Sequence, residues 1–294
     1  MSTSEPTRSR AGTEEKSGST RDRTRPPAPE PLPHPVVDNH CHLDIADGDW
    51  LATDDALARA AAVGVMRIVQ IGCDLPGARW AVECADAHDS VVAGVALHPN
   101  EAPRLPDLDA ALAEIEELAR SSERVRAVGE TGLDNFRTGP EGREVQVESF
   151  RRHIDLAKRL DKTLVIHDRD AHDDVLRVID DEGAPGRWVM HCFSGDADFA
   201  RACLDRGAHL SFAGTVTFKN ANSLRTALKA TPEDRILVET DAPFLTPAPW
   251  RGRPNASYLI PVTMRAMAEV RGADLEALCA AVDANTSAAF GGAW

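Results

Sequence analysis

The 294-residue sequence has no run of 18 or more apolar residues and no apolar stretch after its N-terminal charges. The first absence argues against a membrane-spanning helix, and the second argues against a secretory signal peptide. No two cysteines form a Cys-x-x-Cys pair, and the six that are present are scattered along the chain. In a chain of this length, that distribution indicates reduced thiols and predicts a cytoplasmic protein.

Net positive charge is also absent, since the formal net charge is −14 at pH 7. An acidic balance argues against a broad basic surface that holds nucleic acid by releasing counterions. It remains compatible with a nuclease, because bound metal ions act as strong local positive charges. The chain also lacks a glycine-rich dinucleotide or phosphate-binding fingerprint after its first predicted strand, which disfavours a nucleotide-binding fold.

Residues 1–35 have few large apolar side chains and are rich in Ser, Thr, Pro, Glu and Arg. Such a composition buries too little apolar surface to offset the conformational entropy lost on ordering. We therefore predict a disordered N-terminal tail over 1–35 and a single folded domain over 36–294.

From Val36 onward, short apolar runs alternate with longer segments that have helical spacing. The predicted strands cover 36–39, 66–71, 91–96, 125–129, 163–167, 187–191, 208–212 and 235–239. Eight strands that alternate with helices indicate parallel βαβ units. The α/β pattern predicts a single (β/α)8 TIM barrel. An open, doubly wound sheet is the alternative.

Six potential metal ligands follow these apolar runs: His40, His42, Glu130, His167, His191 and Asp241. In a barrel of parallel strands, the carboxyl ends of all strands meet at one rim. Four imidazoles and two carboxylates at that rim are enough to hold two divalent metal ions. Two ions a few ångströms apart suit the hydrolysis of phosphate esters.

Each signal is weak when taken alone, because a histidine or glutamate at a strand end can also be structural. Asp38 and Glu239 each lie two residues from a proposed ligand, so we expect them to orient a ligand or to serve as buried partners. Arg169 follows His167 by two residues. Its guanidinium could bind a substrate phosphate or form a salt bridge with a neighbouring aspartate.

Longer segments around these residues match a known family. They are Asp38–Asp44, Leu97–Pro99, Gly129–Asp134, His167–Ala171, His191–Gly195, Glu239–Leu245 and Pro249–Asn255. With them, the chain from Val36 to about Phe290 resembles the TatD-type deoxyribonucleases, which are metal-dependent hydrolases with a (β/α)8 barrel. The N-terminal tail is not part of the family pattern.

The resemblance implies how the ions would be held: His40, His42 and Asp241 on one, His167 and His191 on the other, and Glu130 bridging both. Zn, Mn and Mg all accept mixed imidazole and carboxylate ligands. Because Mg prefers ligation by oxygen alone, the four histidines argue against it as the resting ion.

The resemblance further implies a 3′-5′ exonuclease that acts on DNA, either single-stranded or at 3′ ends. A metal-activated water would attack the phosphodiester, with Asp241 as the catalytic base. Arg169 and His98 would contact the substrate, although His98 could instead hydrogen-bond within its own turn. Where many relatives carry two aromatic residues after Gly-Leu-Asp, this chain has Asn135-Phe136, which weakens the case for base stacking.

Two other function classes are open at this stage. An amidohydrolase or ester hydrolase, for example an aminoacyl-tRNA deacylase, could use the same barrel, since one fold hosts many chemistries. Many two-metal barrels of that sort bridge their ions with a modified lysine, and Glu130 holds that place here. The other class is a non-enzymatic nucleic-acid-binding protein, which the acidic charge and the complete ligand set disfavour.

Overall fold

The computed structural model describes residues 5–10 and 21–294 as a barrel of eight parallel strands surrounded by helices. The two-residue strands β1 (Arg8–Ser9) and β3 (Ile45–Ala46) pair with each other outside the barrel. The barrel strands are β2 (Val36–Cys41), β4 (Val65–Gly72), β5 (Val91–Val95), β6 (Val125–Asp134), β7 (Thr163–Arg169), β8 (Trp188–Met190), β9 (His209–Phe212) and β10 (Ile236–Val238). Each of the eight predicted strands overlaps one of these, and the predicted barrel is confirmed.

Helices fill most of the connections between the strands, and two more follow the last strand. They are α1 (Thr53–Ala61), α2 (Leu75–Ala87), α3 (Leu108–Ser121), α4 (Pro140–Arg159), α5 (His172–Glu182), α6 (Ala197–Leu204), α7 (Asn222–Ala230), α8 (Ile260–Arg271) and α9 (Leu275–Ala289). Four of them begin after an aspartate whose carboxylate accepts a backbone N–H of the first turn: Asp74, Asp107, Asp196 and Asp274. No helix within 5–10 and 21–294 is long and apolar enough to cross a membrane.

Neighbouring barrel strands pair in the order β2, β4, β5, β6, β7, β8, β9 and β10. The two ends of this series meet through a parallel bridge between Cys41 and Ala242. Around that bridge, the His42 N–H donates to Ala242 O at 2.8 Å, and the Asp241 N–H donates to His40 O at 2.9 Å. These contacts close the seam of the barrel directly beside three of the predicted ligands.

The interior of the barrel is packed with side chains that alternate along the strands. Seven of the barrel strands contribute to this cluster, β4 with two residues and the others with one each: Val37, Val69, Ile71, Val92, Ala127, Val165, Val189 and Leu237. Phe290, which follows α9, belongs to the same buried cluster. A second, larger core lies between the strands and the helices. Apolar packing fills the barrel interior, so the polar chemistry is confined to the carboxyl ends of the strands.

Part of the predicted disordered tail, residues 21–35, is described by the structure and lies against the barrel. Tyr258 Oη donates to Pro26 O at 2.7 Å, and Arg265 Nη2 donates to Pro31 O at 2.9 Å. Leu32 is buried, and its N–H donates to Val63 O at 3.0 Å. Residues 1–4 and 11–20 lie outside the described residues, and the domain division at residue 35 stays a prediction.

Candidate metal centre

The six predicted ligands lie together at the carboxyl ends of the barrel strands. His40, Glu130 and His167 belong to β2, β6 and β7, and His191 directly follows β8. His42 and Asp241 lie just beyond β2 and β10, on the two sides of the barrel seam. Five of the six line one pocket of about 650 Å³. The sixth, His40, is fully buried, and its ring stacks on that of His191 at 3.6 Å between centroids.

Glu130 lies at the centre of this group, and its two oxygens face different histidines. Oε2 is 3.3 Å from His40 Nε2 and 4.0 Å from His42 Nε2. Oε1 is 2.6 Å from His167 Nδ1 and 3.1 Å from His191 Nε2. A carboxylate in this position has one oxygen available for each of two groups of ligands.

Asp241 completes the group on the Oε2 side. Its Oδ1 is 3.4 Å from His42 Nε2 and 3.9 Å from His40 Nε2. Asp241 has a φ of +54°, in the left-handed region that non-glycine residues adopt at a cost of roughly 1–3 kcal/mol. Its side chain is 15% exposed, against 5% for Glu130, so it is the more accessible of the two carboxylates to a substrate.

Contacts around the rings fix which nitrogen points into the site. His42 Nδ1 donates to Ile71 O at 2.9 Å, so Nε2 is the nitrogen that faces the carboxylates. Glu239 Oε1 lies 2.9 Å from His191 Nδ1 and also accepts the Cys192 N–H at 2.8 Å. Glu239 therefore contacts a predicted ligand from behind, in agreement with the expectation for that residue.

The buried donors fit a bound cation. Among the described residues, neither ring nitrogen of the fully buried His40 has a hydrogen-bond partner. Buried polar atoms are nearly always paired, so an imidazole without a partner indicates that another group binds there. His40, His42 and Asp241 offer donor atoms within 4.8 Å of one another, as do His98, Glu130 and His167. Imidazole and carboxylate donors together suit zinc and manganese.

Electrostatics couples the protonation of these groups when no cation is bound. Burial acts to raise the pKa of Glu130, but the neighbouring histidines hold it well below its usual value. Burial acts to lower the pKa of His167, yet hydrogen bonds to Asp134 and Glu130 raise it to about 8. Near Glu239 and Glu130, the pKa of His191 is raised well above its usual value. Because a ligating imidazole must be neutral, binding of a cation would release protons here.

The two predicted substrate contacts also lie at this pocket. His98 Nδ1 accepts the Asn100 N–H at 3.0 Å, so its proton is on Nε2, which is 3.4 Å from Glu130 Oε1. His98 therefore makes the turn hydrogen bond and also faces the site. Arg169 lies over the exposed ring of Phe136, 4.1 Å from its centroid, and lines the pocket. Among the described contacts it forms no ion pair with a neighbouring aspartate.

Sequence reasoning did not single out two further residues of the site. Asp134 Oδ2 lies 3.4 Å from His167 Nε2 and accepts from Asn100 Nδ2 at 2.9 Å. Cys73 Sγ lies 3.4 Å from Glu130 Oε2. Asp134 ends the Gly-Leu-Asp triplet that follows Glu130 and Thr131, and this position in the motif could have identified it as a residue of the site. Cys73 directly follows β4. The same position at the end of a strand was the reason for choosing the predicted ligands.

Comparisons with known proteins identify the family of this chain. A family model described as "TatD related DNase" matches residues 37–291. The chain belongs to the TatD family. It is 46% identical over 264 residues to an "Uncharacterized metal-dependent hydrolase TatD" from Mycobacterium tuberculosis, a match that covers 88% of this chain and 99% of that protein.

Two further relatives extend the comparison. The "3'-5' ssDNA/RNA exonuclease TatD" of Klebsiella pneumoniae is 34% identical over 249 residues, covering 81% of this chain and 91% of that protein. The crystal structure of the TatD homologue YjjV from Escherichia coli is similar with a TM-score of 0.81 at 27% identity, covering 87% of this chain and 98% of that one. This protein is therefore a metal-dependent hydrolase of the TatD family, which confirms the resemblance in the sequence.

Proposed function

We propose that this TatD-family protein is a nuclease that removes nucleotides from the 3′ ends of single-stranded DNA. In this proposal it holds two divalent cations, one near His40, His42 and Asp241 and one near His167 and His191. The observation that carries the proposal is the position of Glu130, whose two oxygens face these two groups of imidazoles separately. When bound, the cations would supply Lewis-acid polarisation of the phosphoryl group and lower the pKa of water.

The residues of the chain would bind and orient the substrate and move its protons. The pKa of Asp241 is lowered, since the hydrogen bond to His42 and the nearby histidines outweigh burial. Asp241 is therefore ionised at neutral pH, as a general base must be, and it is accessible from the pocket. Nε2 of His98 carries a proton that it can donate to a phosphate oxygen.

The rim of the pocket offers contacts that suit a nucleic-acid strand. The Arg169 guanidinium can donate two hydrogen bonds to a phosphate. Phe136, beneath that guanidinium, is 64% exposed and gives a flat apolar surface on which a base can stack. Phe136 thus makes an aromatic ring available beside Arg169. Of the relatives compared, the Klebsiella protein has a name that specifies a 3′-5′ exonuclease.

A substrate panel tests this proposal with the zinc-, manganese- or magnesium-loaded protein. The substrates are single-stranded DNA, double-stranded DNA and RNA labelled at either end, together with carboxylic esters, amides and an aminoacyl-tRNA. We expect mononucleotides to be released from the 3′ end of single-stranded DNA, and we expect the Asp241→Asn variant to lose at least about 10²-fold in rate, the lower end of general-base catalysis.

Two results would contradict the proposal. Turnover of esters or amides without release of nucleotides would assign the cluster to a different hydrolase. A band shift with DNA but no turnover in any of the three cations would instead indicate a binding protein.

A further inference from the structure

A segment that precedes the residues matched by the family model reaches the mouth of the metal site. The family match begins at residue 37, whereas residues 5–10 run beside the loop that follows β2. Strand β1 pairs in parallel with β3, with Arg8 opposite Ile45. The Thr7 N–H donates to Asp44 O at 2.8 Å, and the Arg10 N–H donates to Ala46 O at 2.7 Å. The segment therefore adds a short strand at the edge of the site.

The register of this strand directs two arginines to the pocket. Arg8 and Arg10 are two residues apart, so they share one face of the strand. Both side chains line the same pocket as the predicted metal ligands. The Arg10 guanidinium lies over the ring of Phe244 at 5.0 Å, and that ring packs edge-on against His42 at 6.1 Å between centroids. One aromatic ring thus separates Arg10 from a predicted ligand.

Ion pairs with the barrel hold both guanidinium groups in place. Arg8 Nη1 is 3.2 Å from Asp74 Oδ2, and Arg10 Nη1 is 3.3 Å from Asp47 Oδ2. Asp47 is 2% exposed, and its carboxylate also accepts hydrogen bonds from both terminal nitrogens of Arg21. Among the described residues, the side-chain hydrogen bonds of Arg8 and Arg10 use Nη1 alone. A guanidinium carries five N–H donors, so each arginine can also bind an anion.

The acidic charge of the molecule makes Arg8 and Arg10 important for the approach of a polyanionic substrate. The net charge is −14, and six carboxylates line the same pocket as five arginines. Two of those five arginines, Arg8 and Arg10, come from the N-terminal segment; the others are Arg104, Arg137 and Arg169. A polyanionic strand that enters this pocket meets a field of mixed sign, and guanidinium groups at the rim offset the acidic residues.

We propose that Arg8 and Arg10 form a phosphate clamp that binds a backbone phosphate next to the scissile phosphodiester. The inference rests on the proposed nuclease function, because a substrate with a single phosphate has no neighbouring phosphate to occupy the clamp. The segment thereby determines specificity for strands over small esters. Its hydrogen bonds to Asp44 and Ala46 place the two arginines, and the guanidinium groups make the contact.

The test compares Arg8→Gln/Arg10→Gln with Arg23→Gln/Arg25→Gln. The control pair removes the same charge from residues that also precede the barrel, but it is not among the residues that line the pocket of the predicted metal ligands. Equilibrium binding of a fluorescent single-stranded oligonucleotide is measured by anisotropy over a salt series, in chelator, so that no turnover occurs. KM and kcat are then measured in the metal-loaded protein with the oligonucleotide and with bis(p-nitrophenyl) phosphate, and melting temperatures monitor folding.

We expect the clamp variant to bind the oligonucleotide about tenfold more weakly and to lose about 0.7 from the slope of log affinity against log salt, the value for one phosphate contact on a single strand. The control pair retains the wild-type slope. The Arg8→Lys/Arg10→Lys variant, which keeps the charge, restores most of the slope. The KM for the oligonucleotide rises in proportion to the weaker binding, while kcat changes little.

Several results would overturn the clamp. They are an unchanged salt slope, tighter binding or faster turnover of the oligonucleotide, or an equal loss of activity on the one-phosphate ester. Faster turnover would mean that the segment obstructs the site, and an equal loss would mean that the whole site is disturbed. If the wild type neither binds nor cleaves the oligonucleotide, the proposed nuclease function fails and the clamp fails with it. Wild-type cleavage with an unaffected variant refutes the clamp alone.

Discussion

Replacing Glu130 by glutamine tests the geometry on which the two-cation proposal depends. The glutamine keeps the size of the side chain but removes the charge between His40 and His42 on one side and His167 and His191 on the other. Loss of a group that merely supports one ligand lowers metal affinity about 10–100-fold. Because this carboxylate faces both groups of ligands, we expect a rate about 10³-fold lower, equivalent to about 4 kcal/mol of barrier.

The assay measures bound metal per chain by elemental analysis together with turnover of single-stranded DNA. We expect two ions per wild-type chain and at most one in the Glu130→Gln variant. The matched control is Glu101→Gln, because Glu101 lines the same pocket and its carboxylate pairs with Arg104, whereas no described ion pair joins that carboxylate to a histidine of the site. Two retained ions with a rate within tenfold of wild type would refute the bridging role, and an equal loss in the control would indicate a general electrostatic effect.

Two other predictions concern stability. Burial lowers the pKa of His153 from 6.5 to about 4, and its Nε2 accepts the Leu97 N–H, so the neutral ring is required. Because the unfolded chain binds this proton more readily, stability falls by about 3 kcal/mol as the pH drops from about 6.5 to about 4. Urea titrations should show this component in wild type but not in His153→Gln; identical pH profiles would contradict it. Gly132 has a φ of +139°, and a Cβ there would lie 2.0 Å from His167 O. We expect Gly132→Ala to lose more than about 2 kcal/mol, whereas Gly186→Ala, with no atom within 4 Å, is the control; equal melting temperatures would refute the argument.

The sequence predicted the barrel because most positions of each barrel strand are buried, so that each strand is seen in the sequence as a short apolar run with clear boundaries. Val125–Val128 and Leu164–Ile166 are fully or nearly fully buried apart from Arg126, as expected for strands covered on both faces. Given a closed parallel barrel, the predicted ligands after these runs converge at one rim without any further information. The location of His167 therefore followed from its position in the chain.

The contacts behind the ligands could not be predicted in the same way. The sequence left two interpretations for Arg169, phosphate binding or a salt bridge with a neighbouring aspartate. Its position over Phe136 depends on the path of the loop after β6. Asp134 contacts His167 because β6 and β7 are paired so that Gly132 is opposite His167. Strand register of this kind depends on the packing of the whole sheet, which a local sequence pattern does not contain.

The predicted tail over residues 1–35 shows a different limit of sequence-based prediction. Its composition indicates disorder, because it has little apolar surface of its own to bury. Its backbone carbonyls are nevertheless free to accept hydrogen bonds, since an extended proline-rich chain makes none internally. Tyr258 and Arg265, more than 200 residues away along the chain, donate to Pro26 and Pro31. The placement of residues 26–31 thus depends on hydrogen-bond donors that the folded domain provides.

The seam of the barrel links the formation of the fold to the geometry of the site. Asp38 is fully buried, and its carboxylate accepts the Thr240 N–H at 2.9 Å, the Thr240 hydroxyl at 2.6 Å and the His40 N–H at 3.3 Å. These bonds join β2 to the segment after β10, so the contact that closes the barrel also sets His40 relative to Asp241. The sequence suggested that Asp38 orients a ligand or serves as a buried partner, and in the structure a single set of hydrogen bonds does both. Because the same hydrogen bonds close the barrel and position His40 relative to Asp241, correct closure of the barrel also sets the spacing of these two predicted ligands.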